Sequence, residues 1–129
     1  MKAFLKNYRQ SPRKVRLLAG LVRGKKVDDA LIQLDFANKR ASVAMKKLIA
    51  SAVANAKNND KVDTDNLYIK EISVDKGVVL KRFMPVSRGM AHPIHKHTSR
   101  VTVVLGVKEA PATKKKPAAK KTTKKTTKK

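Results

Sequence analysis

Two segments of this chain, "LYIKEISVDKG" and "RVTVVLGV", have the make-up of β-strands, and the run from Lys81 to Arg100 that connects them limits every fold the chain can adopt. This run, "KRFMPVSRGMAHPIHKHTSR", holds five Lys/Arg, three His and two Pro, and no carboxylate. It can neither fill a core nor cross a sheet as a central strand, where proline removes a ladder donor. Connections beyond about 12–15 residues without secondary structure of their own are uncommon in compact domains and are usually functional or disordered. In "RVTVVLGV", Val101, Val103, Leu105 and Val107 alternate, the pattern of a half-buried strand in an antiparallel sheet. In the other segment Leu67 and Ile69 fall on odd positions but Ile72 and Val74 on even ones, and a β-bulge near Lys70 to Glu71 reconciles the halves. Continued as a two-stranded ribbon, about ten residues per arm at roughly 3.3 Å each carry the tip about 30 Å from the body. An isolated ribbon is marginally stable in water, so its order is expected to come from a surface into which it is inserted.

Charge narrows what that surface is. The 129 residues carry a formal +23, and setting aside the nine lysines of 111–129 leaves +14 on the remainder. The segment 111–129, Lys with Ala, Thr and Pro, is expected to be a disordered, solvated tail, and 1–110 a single domain. A body that basic repels itself, and a polyanion relieves the repulsion. A membrane is not the expected partner: apolar stretches such as "LLAGLV" and "VTVVLGV" fall far short of the roughly 20 residues that span a bilayer. The first residues, "MKAFLKNYRQSPRK", lack the apolar run of a secretory signal. The absence of cysteine excludes a disulfide framework and a thiolate metal site, and is compatible with a cytoplasmic protein. Nucleic acid is the leading partner.

Three helices are expected upstream. "SPRKVRLLAGLVRG" places Ser11 as N-cap and Pro12 at the first helical position. Val15, Leu18, Ala19 and Val22 then form an apolar stripe, and Gly24 supplies a left-handed stop. Arg13, Lys14, Arg16 and Arg23 lie off the stripe, and no acid occurs from Lys2 to Val27, whereas a merely solvated face mixes both signs. Asp28 is a candidate cap for a second helix, with Ala30, Leu31 and Leu34 apolar. A third begins near Lys39, with Ala41, Met45, Leu48, Ile49, Ala52, Val53 and Ala56 at helical spacing, and its alanines let a sheet approach closely.

Other chemistries find little support. His92, His95 and His97 could offer three nitrogens to zinc, but there is no nearby carboxylate for a fourth ligand and the surrounding field is cationic. Ser87, Thr98 and Ser99 near these histidines lack an acid to orient an imidazole, since no Asp or Glu occurs from Lys76 to Lys108. No phosphate-binding loop of the G-x-x-x-x-G-K type is present. The Lys/Ala/Pro/Thr tail has the make-up of a chromatin-type DNA compactor, but such a protein has no use for a protruding cationic ribbon with glycine and prolines at its tip. Neither catalysis nor a bound metal is expected.

The blocks "SPRKVRLLAGLVRGKKVDDALIQL", "SAVANAKNN" and "LKRFMPVSRGMAHPIHKHTSRVTVVL" resemble, in order and spacing, the family of the bacterial twenty-second protein of the large ribosomal subunit, over about Ala3 to Val107. The resemblance implies an α+β fold of three helices packed on a small three-stranded antiparallel sheet, with a long protruding β-hairpin at about 78–100. It also implies a structural protein, without cofactor and not a homo-oligomer, that resides in the cytoplasmic ribosome, binds 23S ribosomal RNA, assists subunit assembly and lines the nascent-peptide exit tunnel with its hairpin. Implied partners are that RNA, neighbouring large-subunit proteins and the nascent polypeptide. The expected RNA contacts are Arg9, Arg13, Lys14, Arg16, Arg23, Lys25 and Lys26 on the body, with Lys81, Arg82, Arg88, His92, His95, Lys96, His97, Thr98, Ser99 and Arg100 on the hairpin. The expected tunnel wall is Lys81, Arg82, Phe83, Met84, Pro85, Arg88, Gly89, Met90 and Ala91.

Overall fold

A computed structural model describes residues 1–62 and 64–107. The expected tail, 111–129, and the end of the expected domain, 108–110, lie outside the described residues. In chain order the elements are β1 (Lys2–Tyr8), α1 (Pro12–Val22), α2 (Val27–Phe36), α3 (Arg40–Asn59), a 3₁₀ turn (Thr64–Asn66), β2 (Leu67–Pro85), a second 3₁₀ turn (Ser87–Gly89) and β3 (Ala91–Val107). The strands form one antiparallel sheet in the order β1-β3-β2. The class is therefore α+β, three helices with a three-stranded antiparallel sheet, as expected.

The apolar stripe of α1 becomes its buried face, Val15, Leu18, Ala19 and Val22. Gly24 follows at φ 76°, the left-handed stop that its lack of a Cβ permits. Ser11 occupies the N-cap position, but its hydroxyl makes no cap bond; its carbonyl accepts from the Lys14 N–H at 3.1 Å. The second helix corrects the reading of Asp28. It starts at Val27 with Lys26 at the cap position, so Asp28 lies in the first turn beside Asp29, where both carboxylates favour the positive end of the helix dipole. Val27 is buried, and its packing places the start earlier than the acid pattern suggests.

The third helix is central. Its face of Ala41, Met45, Leu48, Ile49, Ala52 and Ala56 is buried against β1 and β3, while α1 lies against β2. Ser42 is buried within this face, and its hydroxyl is satisfied by donating to the Ala37 carbonyl at 2.6 Å. The sheet contributes Ala3, Leu67, Ile69, Ile72, Val74, Val101, Val103 and Leu105 to the same core. Val107, read as part of the buried alternation, is 43% exposed at the end of β3.

The expected bulge is present: Ile69 pairs with Leu105 but Glu71 with Val104, so Lys70 is the extra residue and the buried parity switches after it. A second bulge lies further along the same strand, where Lys76 pairs with Ser99 but Val79 with His97. Both extra residues belong to β2, while β3 runs on without insertion. As an edge strand, β2 carries outward backbone groups that need partners. Ile69 exchanges hydrogen bonds with the loop after α1, through Gly24 N–H to Ile69 O and Ile69 N–H to Lys25 O. Beyond it, the carbonyls of Ile72 and Val74 accept from side chains of α1 and its C-cap residue.

Candidate nucleic-acid interface

The ribbon is the continuation of β2 and β3 past the rest of the sheet. The last pair that β1 makes with β3 is Tyr8 with Ser99, whereas β2 and β3 remain paired out to Pro85 and Ala91. Residues 81–97 are all exposed. Five residues, 86–90, turn the chain, closed by the Val86 N–H donating to the Met90 carbonyl at 2.8 Å. Arg88 and Gly89 both adopt positive φ, 58° and 73°; for Gly89 this is unstrained, for Arg88 it costs about 1–2 kcal/mol.

The register sorts the ribbon's side chains onto two faces. Directly opposed pairs share a face, and alternate pairs share the same one. Val79 with His97, Lys81 with His95, Phe83 with Pro93 and Pro85 with Ala91 form one face; Leu80 with Lys96, Arg82 with Ile94 and Met84 with His92 form the other. His92 is thus separated from His95 and His97 by the ribbon itself, so the H-x-x-H-x-H spacing does not converge three nitrogens on one point. His95 and His97 meet edge to face, with ring centroids 6.5 Å apart.

Most of the expected contact residues are on the surface. Arg9, Arg13, Lys14, Arg16, Arg23 and Lys26 are exposed on the body, and Lys81, Arg82, Arg88, His92, His95, Lys96, His97 and Arg100 along the ribbon. Lys25 is half-buried, its Nζ donating to Gln33 Oε1. The ion pair between side chains recorded among the described residues, Lys46 with Asp35, involves none of these cations. Arg82 Nη1 donates to the neighbouring Lys81 carbonyl at 2.8 Å.

Others of these residues bond to the backbone of β2. Arg16 donates from Nε and Nη2 to the Val74 carbonyl at 3.1 and 2.9 Å, and Arg23 donates from Nη2 to the Ile72 carbonyl at 2.9 Å. Arg16 on α1 and Arg23 at its C-cap thereby cap alternate carbonyls of the edge strand, across a groove of about 670 Å³. Each guanidinium has five N–H donors, so donors remain for a second partner. Thr98 and Ser99, expected among the RNA contacts, are both buried, at 5% and 0% exposure. The Thr98 hydroxyl donates to the Val78 carbonyl at 2.6 Å, fastening the second bulge, and Ser99 Oγ has no hydrogen-bond partner among the described residues. Ser99 shares the parity of Val101, Val103 and Leu105, a signal that could have placed it inward; Thr98 has the opposite parity and gave none.

This is a small basic α+β body bearing an uncovered ribbon without acids, a shape suited to being embedded in an anionic assembly. The comparisons give it a family. The model of the family described as ribosomal protein L22p/L17e matches residues 3–106, and the chain belongs to that family, a structural ribosomal protein and not an enzyme. Relatives named large ribosomal subunit protein uL22 include that of Syntrophotalea carbinolica, 51% identical over 107 residues, covering 83% of this chain and 97% of the relative. That of Neorickettsia sennetsu is 49% identical, covering 83% and 95%, and that of Orientia tsutsugamushi 48% identical over 104 residues, covering 81% and 90%.

Proposed function

We propose that this chain is built into the large subunit of the cytoplasmic ribosome, where it binds 23S ribosomal RNA, assists assembly, and lines the nascent-peptide exit tunnel with its ribbon tip. The observation that carries the reading is the ribbon: paired out to Pro85 and Ala91, exposed from 81 to 97, and without a carboxylate from Lys76 to Lys108. Its sign and its lack of cover suit insertion among phosphates. Body cations on and beside α1, from Arg9 to Lys26, supply a second anchoring area. The tip residues Lys81 to Ala91 are the proposed tunnel wall, facing the nascent chain. Neighbouring subunit proteins are the expected cover for exposed apolar residues on the body such as Leu17 and Phe36, 72% and 86% exposed. A single copy per particle suffices, since the anchoring surface is matched to RNA and not to itself.

Sucrose-gradient fractionation of cells tests the placement: the chain should travel with large subunits. In vitro, residues 1–110 should bind large-subunit RNA with a log–log salt slope of about −0.7 to −0.9 per neutralised phosphate. Removing 111–129 should lessen the slope and keep the preference for the correct RNA, because a flexible lysine run supplies charge but no fixed geometry. Preference retained by the isolated tail and lost by the body would refute the assignment.

A further inference from the structure

The two faces of the ribbon differ in origin and in chemistry. Along β3 no residue is inserted, so Ala91, Pro93, His95 and His97 continue the alternation of Ser99, Val101, Val103 and Leu105, the side of the sheet that the helices cover. Past Ser99 the helices are gone, and this side emerges bare. On it stand Phe83, 75% exposed, opposite Pro93, and Lys81 opposite His95, with His97 next along the strand. Three of these carry flat aromatic rings, flanked by a cation. The other face has no aromatic carbocycle: Leu80, Met84 and Ile94 with Arg82, Lys96 and His92.

We infer that the face bearing Phe83, Lys81, His95 and His97 is covered by unpaired RNA bases that stack on its rings, whereas the face bearing Arg82 and Met84 is the one left toward the tunnel lumen. This rests on the proposed placement in the subunit and divides its tunnel set: Lys81, Phe83 and Pro85 go to RNA. The occupant follows from the face itself. An apolar protein surface would leave Lys81 and the polar edges of two imidazoles without partners, and an acidic one would find no use for Phe83. A nucleotide offers both a planar base for the rings and a phosphate for the ammonium, and stacking of this kind tolerates any base. The histidine rings, edge to face at 73°, are not closed into a stack with each other.

The test uses the full chain and a short oligouridine strand with one central 2-aminopurine, whose fluorescence falls when it stacks on a ring. The same strand in a duplex, and inorganic polyphosphate, serve as probes of charge alone. Phe83→Ala and the double variant His95→Ala/His97→Ala should each abolish most of the quenching and weaken binding to the unpaired strand roughly tenfold per ring engaged, with little change for polyphosphate. His95→Phe/His97→Phe should retain the quenching, since the flat ring is kept. Ile94→Ala, on the opposite face, should behave as the parent chain. All these side chains are exposed, and circular dichroism of each variant checks that the fold is kept. Equal losses on both faces, or no quenching by a parent chain that still binds large-subunit RNA, would overturn the inference and leave the proposed placement standing. A parent chain that binds no RNA at low salt would overturn both.

Discussion

Replacing Gly77 with alanine puts a methyl group where Thr98 already sits. The added Cβ collides with Thr98 Oγ1 and comes within 3.3 Å of the Thr98 carbonyl carbon and oxygen. The φ of Gly77 lies outside the left-handed region, so the penalty is crowding and not backbone strain. To make room Thr98 must turn, giving up the 2.6 Å bond from its hydroxyl to the Val78 carbonyl. The lost bond costs about 0.5–1.5 kcal/mol and the overpacking about 1–3 kcal/mol. The stiffer unfolded chain returns about 0.4–1 kcal/mol. A net loss of about 2 kcal/mol is expected, or roughly 8–16 °C in Tm for a domain of this size. Urea unfolding measures the loss, and amide exchange locates it at the ribbon base. Thr98→Ala alone should cost about 1 kcal/mol for the hydrogen bond. In the double variant Gly77→Ala/Thr98→Ala the collision has no second partner, so the combined loss should fall short of the sum by roughly 1 kcal/mol or more. Strict additivity of the two changes would refute the reasoning, because the predicted cost resides in their contact.

Arg16→Ala should destabilise the fold by about 1–2 kcal/mol through loss of its charged hydrogen bonds to the Val74 carbonyl. Lys14→Ala, which removes a side chain without a partner among the described residues, should stay within about 0.5 kcal/mol while weakening RNA binding and lowering its salt slope by nearly one phosphate; equal stabilities of the two variants would count against the edge-capping role. Excising Met84–His92, a matched pair in the register, and closing the strands with a tight turn leaves every body cation in place. Large subunits should assemble, and cellular response to macrolides should change more than growth; failed assembly with unaltered drug response would make the tip an anchor and not a wall.

How far the chain could be read depended on whether burial disciplined each segment. The α1 stripe was legible because Val15, Leu18, Ala19 and Val22 all face one core, and the bulge at Lys70 because Ile69 and Ile72 must both point inward. The bulge at Gly77 and Val78 left no such trace: Lys76, Val78 and the ribbon from Lys81 onward are exposed, so parity there carries little penalty. The strand β1 was implied by the family resemblance and not by its own pattern, since Ala3 is its buried residue while Phe4, the larger apolar side chain, is 62% exposed. Arg16 and Arg23 read as surface charge because the carbonyls they cap are backbone groups, which no side-chain pattern marks. The cationic character of the ribbon was fully visible; its division into two faces was not, because that depends on the register set by the second bulge.

That bulge ties the stability of the body to the aim of the ribbon. With β3 unbroken from Val107 to Ala91 and both insertions in β2, each extra residue bends the strand pair and adds right-handed twist. The first bulge lies under the helices, where packing would fix the curvature in any case. The second lies where β1 has ended, and there the Thr98 hydroxyl bond and the close approach of Gly77 to Thr98 are what hold the bend. Beyond it the ribbon has no apolar cover and is marginally stable alone, so in free protein its amides should exchange quickly while those of the helices stay protected. The direction in which it leaves the body is nevertheless set in advance by the contact between Gly77 and Thr98. A change at Gly77 therefore redirects the ribbon without altering one of its cations, and the loss of RNA fit that followed would be a loss of geometry and not of charge.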